Sequence, residues 1–105
     1  METLSYRLTA ARPAAGSKPL AIIGVVASGN LEVLVERVGA PTECQIEVRT
    51  VAEGFGAVWA AVIGDFVMRR SAGGLKLSIN DGGARPDTVA LRLAQAVRLI
   101  EDDER

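Results

Sequence analysis

The sequence contains no histidine and a single cysteine, Cys44, among its 105 residues. Histidine is the commonest general base, the usual partner of a serine nucleophile and the commonest metal ligand. One cysteine without histidine cannot form a thiol–imidazole pair, an internal disulfide or a zinc site. A stand-alone hydrolase or metalloenzyme is therefore disfavoured, and we expect no metal. The lone thiol also indicates a cytoplasmic protein.

Aromatic residues are scarce as well, and neither positive nor negative charge is in clear excess. Aromatics make up 4% of the chain, the formal net charge is −1, and the twelve Lys and Arg are scattered. The chain thus offers neither a stacking platform nor a basic stripe for nucleic acid. No apolar stretch approaches the roughly 20 residues that span a bilayer, and no signal peptide is visible, so we expect no membrane insertion.

What the chain does contain suits one compact domain. Its composition is 49% hydrophobic, and its length fits a single domain over residues 1–105. The acidic run that begins at Glu101 is expected to be a frayed tail over residues 101–105, because acid at a helix C-terminus opposes the macrodipole.

Alternation of apolar and polar residues predicts five strands, at residues 3–9, 20–27, 31–38, 43–51 and 75–80. On the fourth of these, Cys44 shares the apolar face with Ile46 and Val48, so we expect its thiol in the core.

Spacings of three and four predict two amphipathic helices. The apolar face of the first comprises Phe55, Val58, Trp59, Val62, Ile63 and Phe66. The second opens at Pro86, and its core face comprises Val89, Leu93, Ala96, Val97 and Ile100. The order βββ(β)-α-β-α predicts an α+β fold, a small antiparallel or mixed sheet with two helices packed on one face.

Two short segments are candidates for function. Ser28, Gly29 and Asn30 lie between two strand-like runs, and Gly and Asn favour a tight turn. On spacing alone a structural turn is the simpler interpretation. A serine hydroxyl at such a turn is also accessible to another protein's active site, which would supply the base that this chain lacks.

The second segment, Asn80 to Asp87, carries two glycines and precedes a helix, where backbone amides can hold an anion. It lacks both Walker and G-x-G-x-x-G spacing, so a plain strand-to-helix turn is favoured. The three carboxylates Glu32, Glu36 and Asp65 are expected on solvated faces. An alternative function is therefore a small α/β ligand-binding or regulatory protein-interaction module with no covalent cofactor, using this turn and an exposed sheet edge.

The stretch Ile23 to Leu34, Ile-Gly-Val-Val-Ala-Ser-Gly-Asn-Leu-Glu-Val-Leu, resembles the prosthetic-group segment of the acyl carrier (delta) subunit of malonate decarboxylase. The similarity covers nearly the whole chain. It continues through Val48–Thr50, Gly54-Phe55, Val58-Trp59, Ser78–Ala84 and Val89–Ala96.

The resemblance implies a non-catalytic carrier subunit of malonate catabolism. Such carriers hold 2′-(5″-phosphoribosyl)-3′-dephospho-CoA (dephospho-coenzyme A) through a phosphodiester on one serine, which by position is Ser28, with Gly29 and Asn30 in the adjoining turn. Asn30 stands where the family more often has Asp. The implied partners are an acyltransferase subunit that exchanges acetyl for malonyl, decarboxylase subunits, and the transferase that attaches the prosthetic group.

Overall fold

A computed structural model of the chain describes residues 2–25, 28–38 and 40–101. Its elements are β1 (Glu2–Thr9), β2 (Leu20–Val25), β3 (Ser28–Arg37), β4 (Glu43–Thr50), α1 (Gly56–Arg69), β5 (Leu75–Asp81) and α2 (Pro86–Glu101). The predicted α+β class and the predicted order of strands and helices are confirmed. Neither helix in this part of the chain is long and apolar enough to cross a membrane.

The five strands form one mixed sheet in the order β1-β4-β5-β3-β2. Every neighbouring pair is antiparallel except β4 and β5, which run parallel. A parallel pair requires a crossover connection, and α1 supplies it. The strand ends at Thr50 and Asp81 therefore lie together, at the end of the sheet where β3 starts. We call this the Ser28 end, and the opposite one the Arg37 end.

One face of the sheet is buried beneath both helices. Alternate residues of β3, Leu31, Val33 and Val35, are fully buried, as strand geometry requires when one face meets the core. The predicted core face of α2 is confirmed, because all five of its residues are buried. The core position of Cys44 is confirmed as well.

The predicted core face of α1 needs a correction. Trp59, Ile63 and Phe66 are buried together with Val67, which the spacing argument left out. Phe55 and Val58, in contrast, are 51% and 42% exposed. The helix begins one residue after Phe55, and its buried stripe turns Trp59 and Ile63 towards the sheet. Phe55 and Val58 consequently remain at the surface of the first turn.

The hairpin of β2 and β3 is confirmed, but its turn is placed differently from the prediction. Ser28, Gly29 and Asn30 are the first residues of β3 and not the connection. Residues 26–27, which connect the strands, lie outside the described residues. The register shifts near the end of β2, where Ile23 pairs with Val33 and Val25 pairs with Ser28. This irregularity leaves extra residues on β3, so strand pairing resumes as early as Ser28.

The Arg37 end is held by one guanidinium group. Arg37 donates hydrogen bonds to four carbonyl oxygens, those of Ala14 (3.1 Å), Ala15 (2.9 Å), Lys18 (3.0 Å) and Ile100 (3.0 Å). These contacts join the loop between β1 and β2 to the last turn of α2. A cation at a helix C-terminus also interacts favourably with the helix dipole.

Gly16 packs this loop directly against the end of α2. Its φ is +84°, and a Cβ there would lie 2.7 Å from the carbonyl oxygen of Glu101. Glu101, which the prediction of a frayed tail included, is therefore the last residue of a packed helix. The rest of the predicted tail, residues 102–105, lies outside the described residues.

Replacing Arg37 by methionine should lower the free energy of unfolding by about 2 kcal/mol or more, because it removes charge-assisted hydrogen bonds while keeping an apolar stem. Urea unfolding followed by circular dichroism measures the change. The matched control is Arg70→Met at an exposed arginine, expected within about 0.5 kcal/mol of the parent. Equal effects of the two substitutions would contradict the assigned role of Arg37.

Candidate functional site

The only thiol of the chain is unsuited to chemistry. Cys44 is fully buried among apolar neighbours, and this burial raises the pKa of its thiol to about 12. Because the thiolate is the reactive form of cysteine, Cys44 is inert at neutral pH.

Two of the three carboxylates that were expected on solvated faces make ordinary polar contacts. Asp65 forms an exposed ion pair with Arg69 at 2.8 Å, one helical turn away. Glu32, which is half-buried, accepts a hydrogen bond of 3.2 Å from the Asn80 amide on the neighbouring strand. Across residues 2–25, 28–38 and 40–101, no cluster of three or more His, Cys, Asp or Glu could hold a metal ion.

At the Ser28 end, β3 starts before the point at which it pairs with β5. The pairing of β3 with β5 begins at Leu31, opposite Asp81, the last residue of β5. Ser28 lies three residues before Leu31 and pairs with Val25 on β2. Residues 28–30 of β3 thus lie before the part of the strand that pairs with β5, next to the register irregularity opposite β2.

A buried carboxylate anchors the strand ends next to this segment. Asp81 is 5% exposed and accepts a 2.7 Å hydrogen bond from the Thr50 hydroxyl, which is itself fully buried. The other carboxylate oxygen accepts the backbone N–H of Ala84 at 2.7 Å, and Thr50 Oγ1 accepts the N–H of Ala52 at 3.1 Å. The pair thus fixes the loops that lead into α1 and α2.

This network also explains the glycine-bearing segment that precedes α2. The sequence left open whether its amides hold an external anion. In the structure the chain's own carboxylate, that of Asp81, takes the Ala84 amide, and Gly83 adopts the positive φ of +106° that the bend requires. The segment is therefore a strand-to-helix turn closed by its own aspartate.

An apolar pocket of about 240 Å³ lies between the first turns of α1 and α2. We call it the Trp59 pocket. Its lining comprises Ala52, Phe55, Val58, Trp59, Val62, Asp81, Gly83, Ala84, Pro86 and Val89. Asp81 is the one charged lining residue, and both its carboxylate oxygens already accept hydrogen bonds. The pocket therefore suits an uncharged, largely apolar group.

The start of α1 adds a favourable electrostatic environment for anions. No side chain caps its first turn, and that turn contains no acidic residue. The N–H groups of a helix's first turn have no partner within the helix, and they carry the positive end of its dipole. The Ser28 end thus combines the start of β3, an apolar pocket and an uncapped helix N-terminus.

Comparison with known proteins adds independent information. A family model described as the malonate decarboxylase delta subunit, an acyl carrier protein (ACP), matches residues 18–100. The malonate decarboxylase acyl carrier protein of Bradyrhizobium diazoefficiens is 65% identical over 98% of this chain and 98% of its own length. That of Xanthomonas euvesicatoria pv. vesicatoria is 50% identical over 96% of each chain. The chain belongs to the malonate decarboxylase acyl carrier protein family.

A solved structure agrees with this assignment. One chain of a Pseudomonas malonate decarboxylase hetero-tetramer, crystallised with malonate, superposes with a TM-score of 0.82 at 37% identity. The alignment covers 95% of this chain and 99% of that one. The structural similarity to this chain therefore extends over the sheet and both helices. The resemblance inferred from the sequence is confirmed at the level of the family.

Sequence reasoning missed Thr50 and the Trp59 pocket. A signal for the Thr50–Asp81 pair was present, because Thr50 follows Val48, and Asp81 follows Ile79, at the two-residue spacing of the buried face. Polar residues at such positions need partners, and each supplies the other. The pocket has no local signal, since it forms only where two helices meet.

Ellman's reagent should leave Cys44 unmodified in the folded protein at pH 8 and react with one thiol per chain in guanidinium chloride.

The pKa of the Cys44 thiol is raised in the folded state, so the unfolded chain loses its thiol proton first as the pH rises. Burial of the neutral thiol therefore contributes to the free energy of unfolding at pH values below the unfolded thiol pKa of about 8.5. That contribution is lost as the pH rises towards 12. Cys44→Val should remove this pH dependence of the free energy of unfolding. Rapid reaction of the folded protein with Ellman's reagent would contradict the burial of Cys44.

Thr50→Val and Asp81→Ala should each destabilise the fold by about 1–3 kcal/mol, because each leaves buried polar groups without partners. The double variant should lose less than the sum of the two single losses, since it removes both partners together. Urea unfolding of all four proteins gives this coupling energy. Asn80→Ala, at an exposed neighbour of Asp81, is the control and should cost little. Strictly additive losses would contradict the pairing.

Proposed function

We propose that this chain is the non-catalytic carrier subunit of malonate decarboxylase and that Ser28 is its attachment site. The attached group is 2′-(5″-phosphoribosyl)-3′-dephospho-CoA, joined through a phosphodiester, with Gly29 and Asn30 continuing the strand beside it. The observation that carries the proposal is the position of Ser28 at the start of β3, before the residues of that strand that pair with β5, in a chain of this carrier family. A carrier needs such a point, because its acceptor hydroxyl must enter another enzyme's active site.

The described residues at the Ser28 end fit the chemistry of this group. Its phosphates are anionic, and the first turn of α1 is uncapped and free of acidic residues. The far end of the group is uncharged before a malonyl unit is attached, and the Trp59 pocket is lined by apolar side chains. When bound, the group supplies a thiol that carries acetyl or malonyl as a thioester.

The chain itself contributes position. Pairing of Val25 with Ser28 holds the start of β3, while the Thr50–Asp81 hydrogen bond anchors the strands beneath it. A group tethered to this platform meets several active sites at a high effective concentration without being released. The hard chemistry belongs to the group and to the partner subunits, which is consistent with the lack of histidine and the inert thiol of Cys44.

The partners follow from the same proposal. An acyltransferase subunit would exchange acetyl for malonyl on the arm, decarboxylase subunits would release carbon dioxide, and a dedicated transferase would attach the group. All would act in the cytoplasm, as the lone cysteine led us to expect. The Pseudomonas neighbour, which is part of a hetero-tetramer, supports assembly with other subunits.

Co-expression with malonate decarboxylase subunits and a prosthetic-group transferase should increase the intact mass of the chain by one phosphoribosyl-dephospho-CoA group. Ser28→Ala should abolish this increase, because the phosphodiester needs the hydroxyl oxygen. Ser5→Ala, at an exposed serine of β1, is the matched control and should keep the full adduct. Circular dichroism verifies that all three proteins fold.

Two results would overturn the proposal. An adduct that persists in Ser28→Ala places the group on another residue. Absence of any adduct, under conditions in which a relative such as the Bradyrhizobium carrier is modified, favours a module without a covalent cofactor.

A further inference from the structure

We propose that the Trp59 pocket shelters the acetyl end of the arm and excludes the malonyl form. The inference rests on the proposed function, which attaches the arm at Ser28. It assigns the apolar space between the first turns of α1 and α2 to one occupant. The uncharged thioester would lie there between visits to the partner subunits.

The position of the pocket supports this occupant. Asp81 lines the pocket and also pairs with Leu31, the first residue of β3 that pairs with β5. Ser28 is three residues before Leu31 on the same strand. Three residues of chain span at most about 11 Å. The arm contains a phosphoribosyl group, an adenosine diphosphate and a pantetheine chain, which together are longer, so an arm that starts at Ser28 can fold back to the pocket.

The lining distinguishes the two acyl groups by charge. An acetyl thioester ends in a methyl group, which gains by burial against Trp59, Val62 and Val89. A malonyl thioester ends in a carboxylate. No lining side chain is cationic, and the carboxylate of Asp81 would repel it. Burial of an unpaired charge is strongly unfavourable, so the malonyl form should stay in solvent.

Burial of the acetyl form but not of the malonyl form would serve the function of a carrier. A sheltered acetyl thioester is protected from water while the protein waits for its acyltransferase. Exchange to malonyl would release the arm, so that the charged group is presented to the decarboxylase. The other possible occupant is an apolar side chain of a partner subunit, because Phe55 and Val58 are partly exposed at the pocket.

Nuclear magnetic resonance of the arm-loaded protein tests the inference directly. The arm is charged with acetyl carrying a ¹³C-labelled methyl group, and nuclear Overhauser contacts are recorded from that methyl. We expect contacts to the methyl groups of Val62 and Val89, and a shift of the fluorescence of Trp59, the single tryptophan of the chain. Protein loaded with malonyl that carries ¹³C at its methylene carbon should show neither contacts from that methylene nor the fluorescence shift.

A pocket-filling variant provides the second arm of the experiment. Ala84→Leu places extra atoms in the Trp59 pocket and should abolish the acetyl contacts and speed hydroxylamine cleavage of the thioester severalfold. The matched control is Gly64→Leu, which adds a side chain to a groove at the Arg37 end, where a Cβ meets nothing within 4 Å. Thermal unfolding establishes that both variants fold, and Val58→Phe is used if Ala84→Leu does not.

The outcomes separate this inference from the proposed function. Intact mass first shows whether the arm is on Ser28, and its absence would overturn both. With the arm present, missing contacts in acetyl-loaded protein, or equal contacts in malonyl-loaded protein, would overturn the sheltering alone. Loss of partner subunits from the purified complex in Ala84→Leu, with acetyl contacts absent from the parent, would assign the pocket to a partner side chain instead.

Discussion

The parallel pairing of β4 with β5 is the constraint on which the rest of the structure depends. Parallel strands cannot be joined by a tight turn, so the chain crosses over through α1 before it re-enters the sheet. Both strands then end together, at Thr50 and Asp81, and both helices begin there. Since β3 is antiparallel to β5, its first residue reaches the same end. One topological choice thereby gathers the hairpin, the pocket and the uncapped start of α1.

At each end of the sheet, one charged residue holds loops and helix ends in place through hydrogen bonds. At the Arg37 end, the guanidinium donates hydrogen bonds to four carbonyl oxygens and so holds the loop between β1 and β2 against α2. At the Ser28 end the Asp81 carboxylate binds Thr50 and Ala84. In both places a charge satisfies groups that folding would otherwise leave unpaired.

The sequence predicted the strands, the helices and their order, because period-two and period-3.6 patterns report burial directly. The core face of α2 is an example, with all five residues correct. It could not predict the strand order, since the pairing of β5 with both β3 and β4 is a long-range choice. The turn was misplaced because Gly29 and Asn30 favour reversal, whereas a register irregularity between Ile23 and Val25 brings pairing back at Ser28. The pocket escaped prediction because residues of two helices and two loops form it together.

The central claim is that Ser28 carries the group on which the other subunits of malonate decarboxylase act. The most direct measurement is fragmentation mass spectrometry of the carrier purified from its assembled complex. Cleavage after Arg7 and Arg37, with the two arginine- or lysine-proline bonds left intact, yields a peptide that contains both Ser17 and Ser28. We expect the added mass on fragments that include Ser28 and on none that include Ser17 alone. An added mass on Ser17, or an unmodified peptide from an active complex, would contradict the claim.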